Sequence, residues 1–139
     1  MDGFTWAAFA CYLLAVVGNV IVGFVYLLSP KYMSYHEVAI GKKWGELDVK
    51  LQTLILALMK SCGGGALSVG LAIVAMLVFP FRSGEMWSYY VIPICGLIVI
   101  GIPIYAMLVV KKKTNAKPPI IANATAIVLI VIGIILSSF

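Results

Sequence analysis

His36, Glu37, Glu46, Asp48, Gln52 and Lys60 are the residues of this chain whose types and spacing could do chemistry. They include the only histidine and three of the five acidic side chains. Ionisable groups beside strongly apolar segments are costly to keep, which makes them candidates for a site. Three chemistries fit. Lys60 could pair with Asp48 or Glu46 and anchor the start of an apolar helix. The cluster could line a small-ligand or quinone-headgroup site. His36, Glu37 and a further carboxylate could hold a metal, but one histidine with scattered carboxylates is a poor ligand set, and no metal site is assigned. No catalytic residue is assigned, because HExxH and Ser/His/Asp signatures are missing. Gly63-Gly64-Gly65 lacks the GK[ST] ending of a phosphate loop. No cofactor identity follows from these residues.

The elements that must position this cluster are membrane spans. The chain has 139 residues, 63% hydrophobic and 11% charged, with a mean hydropathy of +1.12. Soluble domains are nearer half apolar and a quarter charged. At about 20 residues per span, four helices take about 80 residues, and their connections leave no room for a soluble catalytic domain. The fold class expected is all-α, an integral membrane four-helix bundle in a single transmembrane domain. The expected spans are 4–28, 51–79, 86–110 and 120–138, with an interfacial segment over 31–48.

Local signals set these limits. Ser29-Pro30 ends the first span, because proline disfavours helical geometry in the residue before it. Asn19, near mid-span, is expected to make an interhelical hydrogen bond. Tyr32, Tyr35, Trp44 and the lysines around them have the composition of a segment lying in the interface, with a short helix ended by Gly41. Asp48 is the expected N-cap of the second long helix. Lys60 interrupts that helix and is placed at the inner membrane boundary, its ammonium snorkelling to water. Residues 48–59 then extend beyond the hydrocarbon core. Pro80 to Glu85 reads as a tight turn. Pro93 and Pro103 favour bends in the third span. Lys111-Lys112-Lys113 is expected to stop that span.

Small residues suggest how the helices pack. Ser61, Gly65, Ser68, Ala72 and Ala75 recur at spacings of four and three, as small-residue packing faces do in membranes. A groove for a lipid tail or flat ring is the alternative use of that face. Ala122, Ala126, Gly133 and Ser137 form a similar line in the last span. Cys11, Cys62 and Cys95 are expected to be small buried apolar residues.

Nine of the ten basic residues fall in or beside the segments 29–60 and 111–117. The positive-inside rule then puts residues 29–50 and 111–119 in the cytoplasm and both termini on the outer side, in what is expected to be a bacterial inner (plasma) membrane. The net charge of +5 is accounted for by topology and anionic headgroups, so no nucleic-acid partner is expected.

Residues 60–71, Lys-Ser-Cys-Gly-Gly-Gly-Ala-Leu-Ser-Val-Gly-Leu, carry a GGxxLxxGL-type pattern, about 30 residues after the proline that ends the first span. Over residues 29–79 this resembles the DoxX-like group of small four-span membrane proteins. The resemblance implies either a quinone-linked redox subunit or an assembly helper for other membrane proteins, and it carries over no catalytic motif.

The leading expectation is a non-enzymatic accessory or binding protein. It would engage a lipid, a small hydrophobic ligand or a partner membrane subunit, and form a homo-oligomer or join a larger assembly. The alternatives are a quinone-linked membrane redox subunit and a homo-oligomeric channel or transporter.

Overall fold

In the computed structural model, which describes residues 2–139, each helix starts and stops at a residue suited to the task. Asp2 caps α1 (Gly3–Leu28), its carboxylate accepting from the Thr5 backbone N–H at 2.8 Å and from the Thr5 hydroxyl at 2.7 Å. Those two donors hold the Asp2 carboxyl below its usual range. Ser29 turns to extended backbone ahead of Pro30 and ends α1. The short helix expected from the sequence over this segment is α2 (Ser34–Ile40), closed by Gly41 at φ +73°, a left-handed conformation that glycine takes without strain. A 3-10 turn follows at Trp44–Glu46.

Asp48 caps α3 (Val49–Met76), its carboxylate accepting from the Lys50 backbone N–H at 3.0 Å. Pro80 has no N–H to give, and the helix widens into a π-helical turn over Leu77–Phe81 before it ends. The reversal is completed at Gly84, φ +74°. α4 spans Ser88–Lys113 and contains Pro93 and Pro103. α4 ends at the lysine run: Lys111, Lys112 and Lys113 form its last turn, where cations complement the helix dipole, and Thr114 turns to extended backbone. α5 spans Ile120–Leu136.

Three helices are long and apolar enough to cross a membrane, and α5 is a shorter apolar helix. At 1.5 Å per residue its 17 residues reach about 26 Å.

α1 is the central helix, packed chiefly between α3 and α5, with α4 against α5. The main core lies toward the N-terminal end of α1. It joins Ala8, Tyr12, Ala15 and Val16 of α1 to Ile73 and Leu77, with Phe81, Ile92, Ile100 and Ile130 completing it. The Tyr12 and Phe81 rings meet edge to face at 5.9 Å, and Phe81 and Tyr89 are 4.6 Å apart. A second, smaller cluster of Tyr32, Leu47 and Met59 forms at the opposite end, where the lysines are.

Candidate functional site

The polar cluster divides into separate local roles. His36 lies in the first turn of α2, where its Nδ1 accepts from the Met33 backbone N–H at 3.3 Å. Three tyrosine rings surround it: Tyr35 at 4.0 Å, and Tyr26 and Tyr32 each at 6.3 Å between centroids. The Tyr26 and Tyr35 hydroxyls hydrogen-bond to each other, tying the end of α1 to α2. The Tyr32 hydroxyl donates to the Lys42 carbonyl, and its ring meets Trp44 edge to face at 4.9 Å. Gln52 Nε2 donates to the carbonyls of Trp44 and Leu47 at 2.8 and 3.1 Å, which fixes the 3-10 turn against α3.

The carboxylates stay local. Glu46 accepts from the Lys43 backbone N–H at 3.0 Å, and Asp48 serves as the α3 cap. Glu37 sits in α2, its backbone carbonyl accepting from Gly41. Lys60 does not pair with Asp48 or Glu46. Its Nζ donates to the Leu27 carbonyl at 3.0 Å. The reason is geometric: Asp48 is twelve residues before Lys60, about 18 Å along the helix. The last turn of α1, with its unpaired carbonyls and partial negative charge, is nearer.

The cluster's chemistry follows from this placement. Burial lowers the His36 pKa from its ordinary value, which favours the neutral ring whose Nδ1 accepts from the Met33 N–H. Burial, together with the Tyr26 hydroxyl, raises that of Tyr35. Among the described residues, no three His, Cys, Asp or Glu side chains converge. Tyr26 was not legible as part of this cluster, because an aromatic residue near the end of an apolar span carries no distinguishing signal.

The two sides of α3 differ sharply. Successive residues turn by 100°, which puts Gly63, Gly70, Ile73 and Leu77 on one side, all buried. A Cβ on Gly63 would lie 2.7 Å from the Gly23 carbonyl oxygen, and one on Gly70 would lie 2.6 Å from Val20 Cγ2. Asn19 Nδ2 donates to the Ala66 carbonyl at 2.8 Å across the same contact. α1 therefore packs on Gly63 and Gly70. It does not use the stripe Ser61, Gly65, Ser68, Ala72 and Ala75, which points the other way and is exposed throughout. A Cβ on Gly65 would meet nothing within 4 Å.

The exposed stripe is longer than its small residues. Leu51, Leu54 and Leu58 precede it with the same alternation of three and four, and they are 42%, 55% and 58% exposed. From Leu51 to Ala75 this is an unbroken 3.5-residue repeat, the period of a left-handed helix–helix contact. Cys62 borders it and is exposed, contrary to the expectation of burial, while Cys11 and Cys95 are partly buried. On α5, Gly133 is buried beneath the Tyr12 ring and Ala126 packs against the core, but Ala122 is exposed. Tyr12 and Ser137 share a hydrogen bond at 3.4 Å.

Two surface grooves lie elsewhere. One of ≈ 600 Å³ runs between α4 and α5 beside Thr5, and one of ≈ 400 Å³ lies along the lysine end of α4.

The chain matches no family model, no curated protein and no solved structure.

Proposed function

We propose that this chain is an accessory protein of a membrane that assembles with another transmembrane helix along α3. The observation that carries this reading is the exposed 3.5-residue repeat from Leu51 to Ala75, on the side of α3 away from α1. The lysine distribution supports a topology with residues 29–50 and 111–119 in the cytoplasm and both termini outside. Lys60 then stands at the inner boundary. Leu51, Leu54 and Leu58 project past the hydrocarbon core, where water drives apolar burial. Ser61 to Ala75 lie within it, where small side chains let two backbones approach. One continuous face thus suits a partner helix both inside and just below the bilayer.

The resemblance of residues 29–79 to DoxX-like proteins points in the same direction through that group's assembly helpers. The redox reading would use the His36 region for a quinone headgroup. Tyrosine rings of the chain itself already occupy the space around His36, which favours the assembly reading.

The test is photo-crosslinking in native membranes. A photoreactive residue at Ser68 is expected to capture a second polypeptide, either another copy or a different membrane protein, and Gly65→Leu is expected to abolish capture while the monomer stays folded. Equal capture from Ser68 and from Leu108, on the far helix α4, would contradict the proposal.

A further inference from the structure

The lysine end of α4 has no counter-charge of its own. After Glu85 the sequence contains no aspartate or glutamate, yet it contains Lys111, Lys112, Lys113 and Lys117. Lys111 to Lys113 form the last turn of α4. The partial negative charge of a helix C-terminus offsets only about half a unit of theirs. The carboxylates near this end, Glu37, Glu46 and Asp48, belong to the first connection, where Glu46 and Asp48 are held by backbone N–H groups of their own segment.

The open surface depression of ≈ 400 Å³ at this place is bounded by Tyr105, Leu108, Val109, Lys112 and Lys113, all of α4. These positions recur at i, i+3, i+4, i+7 and i+8, one face of the helix. The face is graded along its axis. Tyr105 and Leu108, 71% and 48% exposed, lie toward the middle of α4, and the two ammonium groups lie at its end. Exposed Ile98 and Ile102 continue the apolar track by one to two further turns.

We propose that this face binds an anionic phospholipid. One acyl chain lies along Ile98, Ile102 and Tyr105, and the headgroup phosphate sits between Lys112 and Lys113. The charge complementarity selects the occupant. A zwitterionic lipid offers the same chain but brings its own cation, so it gains less from two uncompensated lysines. The inference rests on the membrane placement given above, and it is independent of what packs on α3.

The experiment is native mass spectrometry of the full chain in mild detergent, with equimolar phosphatidylglycerol and phosphatidylcholine added. Wild type is expected to retain phosphatidylglycerol in preference. The double variant Lys112→Gln/Lys113→Gln is expected to reduce that preference on the order of tenfold, since each surface lysine contributes a sizeable part of the attraction. Lys42→Gln/Lys43→Gln, on the other connection, is expected to leave it unchanged. Equal retention of the two lipids by wild type would overturn the proposal, as would a preference lost equally in both double variants. Neither of those results bears on crosslinking at Ser68, so the two proposals fail separately.

Discussion

Gly23 of α1 and Gly63 of α3 meet backbone to backbone. A Cβ on Gly63 would stand 2.7 Å from the Gly23 carbonyl oxygen and 2.8 Å from the Leu27 backbone nitrogen. Backbone cannot move aside as the end of a side chain can, so Gly63→Ala forces the two helices apart. The expected loss is about 1–3 kcal/mol, the range for overpacking a filled contact. Gly65→Ala meets open space and gains helix propensity, so it is expected to be neutral or stabilising by up to about 1 kcal/mol. Thermal unfolding in detergent, followed by tryptophan fluorescence, separates the two. Equal shifts in Tm would place the α1 contact on the wrong side of α3.

Asn19 supplies the polar link in the same contact, through its bond to the Ala66 carbonyl. Such bonds between membrane helices average about 0.6 kcal/mol and rarely exceed about 1.7. Asn19→Leu is expected to cost an amount in that range and no more. A loss much larger than that would mean that Asn19 has a second role, such as lining a ligand cavity.

Lys60 reaches the Leu27 carbonyl in the last turn of α1. Lys60→Met removes both a donor and a cation from a helix C-terminus, at an expected cost of about 1 kcal/mol. Lys60→Arg keeps both and is expected to retain most of the stability. Because Asp48 and Glu46 make their own backbone contacts, Asp48→Asn is expected to leave the effect of Lys60→Met unchanged in a double-mutant comparison. Coupling between the two sites would restore the ion pair that the geometry excludes.

His36 gives the segment around α2 a pH dependence. Burial lowers its pKa in the folded state, so the folded state disfavours the proton relative to the unfolded chain. The stability contributed is present above the ordinary histidine value of about 6.5 and is lost as pH falls below it. Protonation also removes the Nδ1 acceptor from the Met33 N–H and puts a cation in the first turn of α2. Between pH 7 and pH 5, proteolysis next to Lys31 and Lys42 is expected to speed up in the wild type. His36→Asn, which keeps an acceptor and cannot charge, is expected to flatten that response. An identical slope in both proteins would remove His36 as its source.

Much of the architecture was legible in the sequence. The caps Asp48 and Gly41 and the end at Ser29-Pro30 follow from residue chemistry that does not depend on distant contacts. What was not legible is which side of α3 faces α1. Gly63, Gly65 and Gly70 are equally small, and the choice among them depends on where α1 lies, a matter of tertiary packing. Lys60 illustrates the same limit. Two carboxylates near it in sequence suggested an ion pair, but twelve residues of helix separate it from Asp48, while Leu27 is adjacent only in space. The aromatic enclosure of His36 needed Tyr26 from a different helix, and no local pattern announces that.

The most direct test of the central claim, that the exposed face of α3 holds another helix, is a cysteine scan from Ser61 to Ala75 in a background with Cys11, Cys62 and Cys95 replaced by serine or alanine. Crosslinking in membranes to a neighbouring polypeptide, through a short thiol-to-amine reagent that needs no cysteine on the partner, is expected to peak at 61, 65, 68, 72 and 75 and to vanish at 63 and 70. A flat profile, or peaks at 63 and 70, would contradict it.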